Sequence, residues 1–126
     1  MANAPLLLVS LLSCHYLADF CLTSPAMIKA KADGRNLLPI LLHASIHGAL
    51  MGVCLLIWEV SWKWLLSMIV IEIVSHFFID LAKARLSAKY PCLADQQQKS
   101  HWMVYGLDQL LHQLVIVAIW YYCNIL

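Results

Sequence analysis

Apolar residues run along this chain in four long blocks, at about 5–22, 37–58, 64–86 and 102–124. Each block is roughly 18–23 residues, the length that carries a helix across about 30 Å of hydrocarbon. Pro5 suits a first helical turn. The connections are polar and differ in kind. Residues 23–36 hold Pro25, Lys29, Lys31, Asp33, Gly34 and Arg35, with room for a short interfacial helix. Residues 59–63 form a tight, Trp-flanked turn. Residues 87–101 carry Asp95, a run of Gln and Lys99, with a break at Pro91. Trp58, Trp62, Trp64 and Trp102 fall at predicted segment ends, where interfacial aromatics belong.

Each block is interrupted by ionisable residues on a single stripe. His15 and Asp19, His43 and His47, His76 and Asp80, and Asp108 and His112 are all four apart. On a helix such pairs share one face. Together they use five of the six histidines and three of the five aspartates.

Composition sets the environment. The chain of 126 residues is 63% hydrophobic and only 12% charged, with a mean hydropathy of +0.77. A soluble globule carries about 25% charge, and helices apolar on every side belong in lipid or deep inside a large protein. At this length a single domain over 1–126 is expected, all-α, a transmembrane four-helix up-down antiparallel bundle with the lipid bilayer as its partner. The first block lacks a basic leader and contains His15 and Asp19, so it reads as a retained helix rather than a signal peptide. The net charge of +1 gives no case for nucleic acid. Five cysteines, without a C-x-x-C, read as small buried hydrophobes.

Charge also orients the bundle. Lys29, Lys31 and Arg35 lie in the first connection, Lys83, Arg85, Lys89 and Lys99 at the third, and only Lys63 at the second. The positive-inside rule puts the first and third connections in the cytoplasm and both termini outside. With that topology, His43 and His47 lie about 6 and 10 residues inside the second segment. Asp108 and His112 match them in the fourth, as Asp80 and His76 do in the third, and His15 and Asp19 are close to them in the first. These positions fall about 9 and 15 Å below the cytoplasmic surface. All four pairs meet at nearly one level.

Intramembrane ionisable groups are costly and turn inward to pair or bind an ion. Eight of them, His15, Asp19, His43, His47, His76, Asp80, Asp108 and His112, suit two divalent transition metals. Zn is the first choice and Fe, Mn or Ni the alternatives, because imidazole favours these over Mg or Ca and a carboxylate can bridge. Two metals about 3.5–4 Å apart activate water and clamp an oxyanion. Further residues extend the stripes. Glu72, four before His76, is a candidate to orient a ligand imidazole or act as base. Lys83, three after Asp80, is a candidate to hold a phosphate or carboxylate. These two are the catalytic candidates. Tyr105 and His101 continue the Asp108 stripe toward the same mouth, His101 at the water boundary. Gln109 and Gln113 are candidates for interhelical hydrogen bonds, while Gly48 and Gly52 permit close helix approach.

The pattern His15-Tyr16-Leu17-Ala18-Asp19-Phe20, followed by the later pairs and by Lys83 and Gln109, resembles a family of small bacterial and phage membrane proteins catalogued only as a domain of unknown function. The likeness covers essentially the whole chain. It implies a four-helix inner-membrane protein and supplies no activity. The H-x-x-x-H box also has a distant likeness to membrane fatty-acid desaturases and hydroxylases, which have more His, fewer Asp and longer chains.

Three functions follow. The first is a metal-dependent hydrolase of a lipid or membrane-associated substrate. The second is a divalent-metal transporter or sensor, since H-x-x-x-D resembles cation-diffusion transporter sites. The third is a structural or interaction protein stapled by metal. A second copy of the chain is left open as a partner. The outer half of every segment is nearly pure apolar, which weighs against transport.

Overall fold

The computed structural model describes residues 4–125. Residues 1–3 and 126, which belong to the expected domain, lie outside the described residues. Among the described residues all regular structure is helical: α1 Ala4–Tyr16, a π-helical turn Leu17–Cys21, α2 Pro25–Asp33, α3 Leu37–Ile57, α4 Trp62–Lys89, α5 Pro91–Ala94 and α6 Lys99–Ile125. Four helical stretches are long and apolar enough to cross a membrane: Ala4–Cys21, Leu37–Ile57, Trp62–Lys89 and Lys99–Ile125.

Local chemistry explains the boundaries. Ser24 caps α2, its hydroxyl accepting from the Met27 amide at 3.3 Å, and Pro25 follows in the first turn. Gly34 ends α2 at φ 63°, a left-handed conformation that costs glycine little. Asn36 caps α3 by accepting from the Leu38 amide at 3.3 Å. α4 runs past the expected residue 86 to Lys89, because Ser87, Ala88 and Lys89 tolerate a helix. Tyr90, extended ahead of Pro91, stops it. α6 begins three residues before Trp102, its first turn tied to the preceding connection. There the Ser100 hydroxyl donates to the Cys92 carbonyl at 3.0 Å, and the Trp102 indole to the Gln96 carbonyl at 2.9 Å.

The long helices close a ring: α1 packs on α3 and α6, and α4 on α3 and α6, while α2 lies against α3 and α4. α3 and α4 approach closely at two glycines. A Cβ on Gly48 would come within 2.7 Å of Ile73 Cδ1, and one on Gly52 within 2.8 Å of Ile69 Cδ1.

Two apolar clusters fill the interior. Leu7, Leu11, Met51, Cys54, Leu55, Met68, Ile116 and Ile119 form one. Ala30, Ile40 and Leu81, with Phe77 against them, form the other. Along α3 the sequence passes from Ile40 through His43 and His47 to Met51. α4 likewise runs from Met68 through Glu72 and His76 to Asp80 and Leu81. The interior therefore has a polar layer between two apolar ones. Leu41, Leu42, Phe78, Leu110 and Leu114 are exposed on the outside. That is the reverse of a water-soluble amphipathic helix.

Candidate metal centre

All eight residues of the four pairs meet inside the ring, with Glu72 as a ninth. His15, His43, His47, Glu72, His76, Asp80, Asp108 and His112 are between 0 and 6% exposed, and the Asp19 side chain is 5% exposed. His76 is the hub. Its ring centroid lies 3.6 Å from that of His47, 4.0 Å from His112, 5.2 Å from His43 and 5.7 Å from His15.

Helical period four supplies most of this, but the first pair needs a further device. Asp19 lies in the π-helical turn, where the Leu22 amide donates five residues back to the Leu17 carbonyl at 3.0 Å. Such widened turns recur at functional sites because they re-aim a side chain. The Thr23 hydroxyl, 2.7 Å from the Asp19 carbonyl and 3.1 Å from that of Ala18, satisfies carbonyls at the end of the turn.

Two ligand sets can be drawn without sharing a residue. Asp19 Oδ1 is 2.9 Å from His43 Nε2 and 3.5 Å from His47 Nε2. Asp80 Oδ2 is 3.5 Å from His76 Nε2, and Oδ1 is 3.6 Å from His112 Nε2. Asp80 Oδ2 also lies 3.7 Å from His43 Nε2, so this carboxylate faces both sets. Asp108 Oδ1 approaches His112 Nε2 at 3.6 Å, and His15 Nε2 approaches Asp19 Oδ2 at 3.6 Å. Three overlapping groups have ligand atoms within 4.8 Å of one another: His15, His47, Glu72 and His76; Asp19, His43, His47 and His76; and His76, Asp80 and His112. Buried groups here could hold a metal ion.

Glu72 sits behind the rings. Its Oε1 lies 3.5 Å from His76 Nδ1 and 3.9 Å from His47 Nδ1. At these distances neither approach is a hydrogen bond, although a carboxylate on this side of a ring is where orienting partners of metal-ligating histidines stand. Glu72 also belongs, with His15, His47 and His76, to one of the groups that could hold an ion.

The donor set is out of balance. Ten buried side-chain atoms of the cluster lack a hydrogen-bond partner, among them Nε2 of His15, His47, His76 and His112, both Asp80 oxygens and Asp108 Oδ1. Each buried polar atom left unsatisfied costs about 1–3 kcal/mol. Converging carboxylates and imidazole lone pairs attract cations, so the residues present fit divalent metal.

Two lysines already supply positive charge. Lys83 donates to Asp108 Oδ2 at 2.8 Å and stands 4.9 Å from the centroid of the Tyr105 ring. Lys31 was expected only as one of several cytoplasmic surface charges. It reaches in from α2 to lie 3.2 Å from Asp19 Oδ1, 3.0 Å from His43 Nε2 and 3.1 Å from Asp80 Oδ2. The last contact is an ion pair out of line for a hydrogen bond. Burial works against the Lys31 charge, but Asp80 and Asp19 outweigh it and hold the ammonium above the ordinary lysine value. A signal for Lys31 was present. Met27, Ala30, Lys31 and Gly34 make an inward stripe at helical spacing, while Lys29 is exposed.

The remaining expected residues divide. Gln109 Nε2 donates to Asp19 Oδ2 at 3.0 Å, linking α6 to the turn after α1. Gln113 is exposed, one position off the ligand stripe. His101 is outside the cluster, half-buried, its Nδ1–H donating to the Leu93 carbonyl at 2.8 Å. A cavity of about 220 Å³ adjoins the centre, lined in part by Lys31, Lys83, Ser87, Gln96, His101 and Tyr105.

Fold and site thus define a class: an all-helical bundle with four membrane-length apolar helices around a buried His/Asp/Glu cluster. The chain belongs to the family described as "Protein of unknown function (DUF3307)", whose model matches residues 7–126. No curated protein matches the chain, and no solved structure does.

Proposed function

We propose that the chain is a multi-pass protein of the bacterial inner membrane with a two-metal centre in its cytoplasmic half, and that it hydrolyses a lipid or membrane-associated substrate. The observation that carries this reading is the convergence of ten buried cluster atoms that lack a hydrogen-bond partner. In the up-down antiparallel arrangement we infer, Lys29, Lys31, Arg35, Lys83, Arg85, Lys89 and Lys99 share one side and Lys63 lies on the other. The centre then sits nearer the positive, cytoplasmic side, with both termini outside.

His15, Asp19, His43 and His47 would hold one ion and His76, Asp80, Asp108 and His112 the other. The imidazole-rich set favours Zn, with Fe, Mn or Ni as alternatives. Such a pair supplies Lewis acidity and a nucleophilic water at neutral pH. The chain's own residues do the rest. Glu72 keeps two imidazoles aimed inward, Lys83 offers an ammonium to an anionic group, and the apolar layer below excludes water.

Hydrolysis is favoured over the other readings by the cavity. It adjoins the centre on the side of Lys31 and Lys83, which gives substrate a place to bind. A metal staple has no use for one. The apolar cluster from Leu7 to Ile119 fills the bundle beyond the centre, which leaves a transported ion no polar path.

The test is product formation from extracted inner-membrane lipids, followed by mass spectrometry, with protein in nanodiscs. Metal-dependent products that Asp80→Asn abolishes support hydrolysis. Zinc flux into liposomes that His47→Ala abolishes, without any product, supports transport instead.

A further inference from the structure

Both ammoniums at the centre are bound to carboxylates that the proposed metals would claim. Lys31 is held by Asp19 and Asp80, at 3.2 and 3.1 Å, and Lys83 by Asp108 at 2.8 Å. Lys31 Nζ, 3.0 Å from His43 Nε2 as well, stands among three of the ligands. A metal ion on those atoms must displace it. Both lysines also line the cavity of about 220 Å³, so a displaced ammonium has somewhere to go.

Formal charge gives the same direction. Four carboxylates (Asp19, Glu72, Asp80, Asp108) and two ammoniums (Lys31, Lys83) give the empty centre two net negative charges. Two divalent ions would reverse that to two net positive charges. A buried site does not hold uncompensated charge cheaply, so the loaded centre calls for a dianion. The cavity lining offers what a tetrahedral oxyanion needs: two ammoniums, the Ser87 and Tyr105 hydroxyls and the Gln96 amide.

We infer that this cavity is a phosphate-binding vestibule, brought into action when metal draws Asp19, Asp80 and Asp108 away from Lys31 and Lys83. The inference rests on the two-metal reading above and names its substrate class: a phosphate-bearing molecule. Metal and phosphate then bind cooperatively, and each strengthens the other by the same factor.

The test uses full-length protein in zwitterionic nanodiscs, titrated calorimetrically with inorganic phosphate before and after zinc loading. Zinc content is read by elemental analysis on the same samples. Zinc is expected to tighten phosphate binding by about tenfold or more. Lys83→Ala loses that gain at wild-type zinc content, and Lys83→Arg keeps it. Gln96→Glu, which touches no proposed ligand, weakens phosphate binding and leaves zinc alone. Nanodiscs containing phosphatidic acid separate the two sources of phosphate. Competition with inorganic phosphate assigns the vestibule to a lipid headgroup, and its absence assigns it to a soluble phosphate compound. Wild-type zinc content with phosphate binding indifferent to zinc, or to both Lys83→Ala and Gln96→Glu, overturns the vestibule and leaves the metal centre standing. Absence of zinc overturns both.

Discussion

Lys31 Nζ lies 3.1 Å from Asp80 Oδ2, although α2, which carries the lysine, is outside the four membrane-length helices. A tethered cation thus occupies part of the centre. Removing it should help a metal and harm the empty protein. Lys31→Met is expected to raise zinc affinity severalfold and to lower the unfolding temperature of metal-free protein in detergent. Competition against a zinc chelator and thermal unfolding of apo and loaded protein check the two effects. A lower zinc affinity in the variant would count against this competition.

His76 belongs to all three groups that could hold an ion, whereas His101 belongs to none and binds the Leu93 carbonyl. His76→Ala should cost more bound metal than any other single histidine change, and His101→Ala should leave metal content as it was. Metal per chain after gel filtration reads both. Equal loss from the two variants would mean that proximity in the cluster does not decide binding.

Glu72 Oε1 lies 3.5 Å from His76 Nδ1 and 3.9 Å from His47 Nδ1, the ring nitrogens opposite the Nε2 atoms proposed for metal. Glu72→Gln preserves shape and one acceptor oxygen but removes the charge. Metal affinity should fall by about 10–100-fold, the usual effect of losing an orienting partner, while stoichiometry at saturating metal is unchanged. A saturated stoichiometry reduced by one ion would instead make Glu72 a ligand.

The contact between α3 and α4 depends on absent side chains. Gly48→Ala brings a Cβ within 2.7 Å of Ile73 Cδ1, and overpacking of this kind costs about 1–3 kcal/mol. Gly106 is a control, since a Cβ there meets nothing within 4 Å. Gly106→Ala should stabilise α6 by up to about 1 kcal/mol through helix propensity. Thermal unfolding in detergent should move in opposite directions for the two.

The cluster residues were legible in the sequence because a period of four inside apolar segments forces each pair onto one face. The antiparallel reading of the charge pattern put the pairs at matched depth, and the structure brings these side chains together. Other features were not legible, for physical reasons. The inward turn of Lys31 depends on α2 folding back over α3 and α4, so charge counting groups it with the exposed Lys29. The π-helical turn at Asp19 leaves no trace in residue spacing. That Asp80 faces both ligand sets depends on side-chain directions across four helices. Gln113 was read with Gln109 as a polar contact, but only Gln109 reaches an aspartate.

Elemental analysis of the purified, full-length protein, alongside His43→Ala and Asp108→Ala, tests the central claim most directly. Two transition-metal ions per chain, reduced by either substitution while the protein remains folded by circular dichroism, is the predicted result. Less than one ion per chain, unchanged by both substitutions, would contradict it.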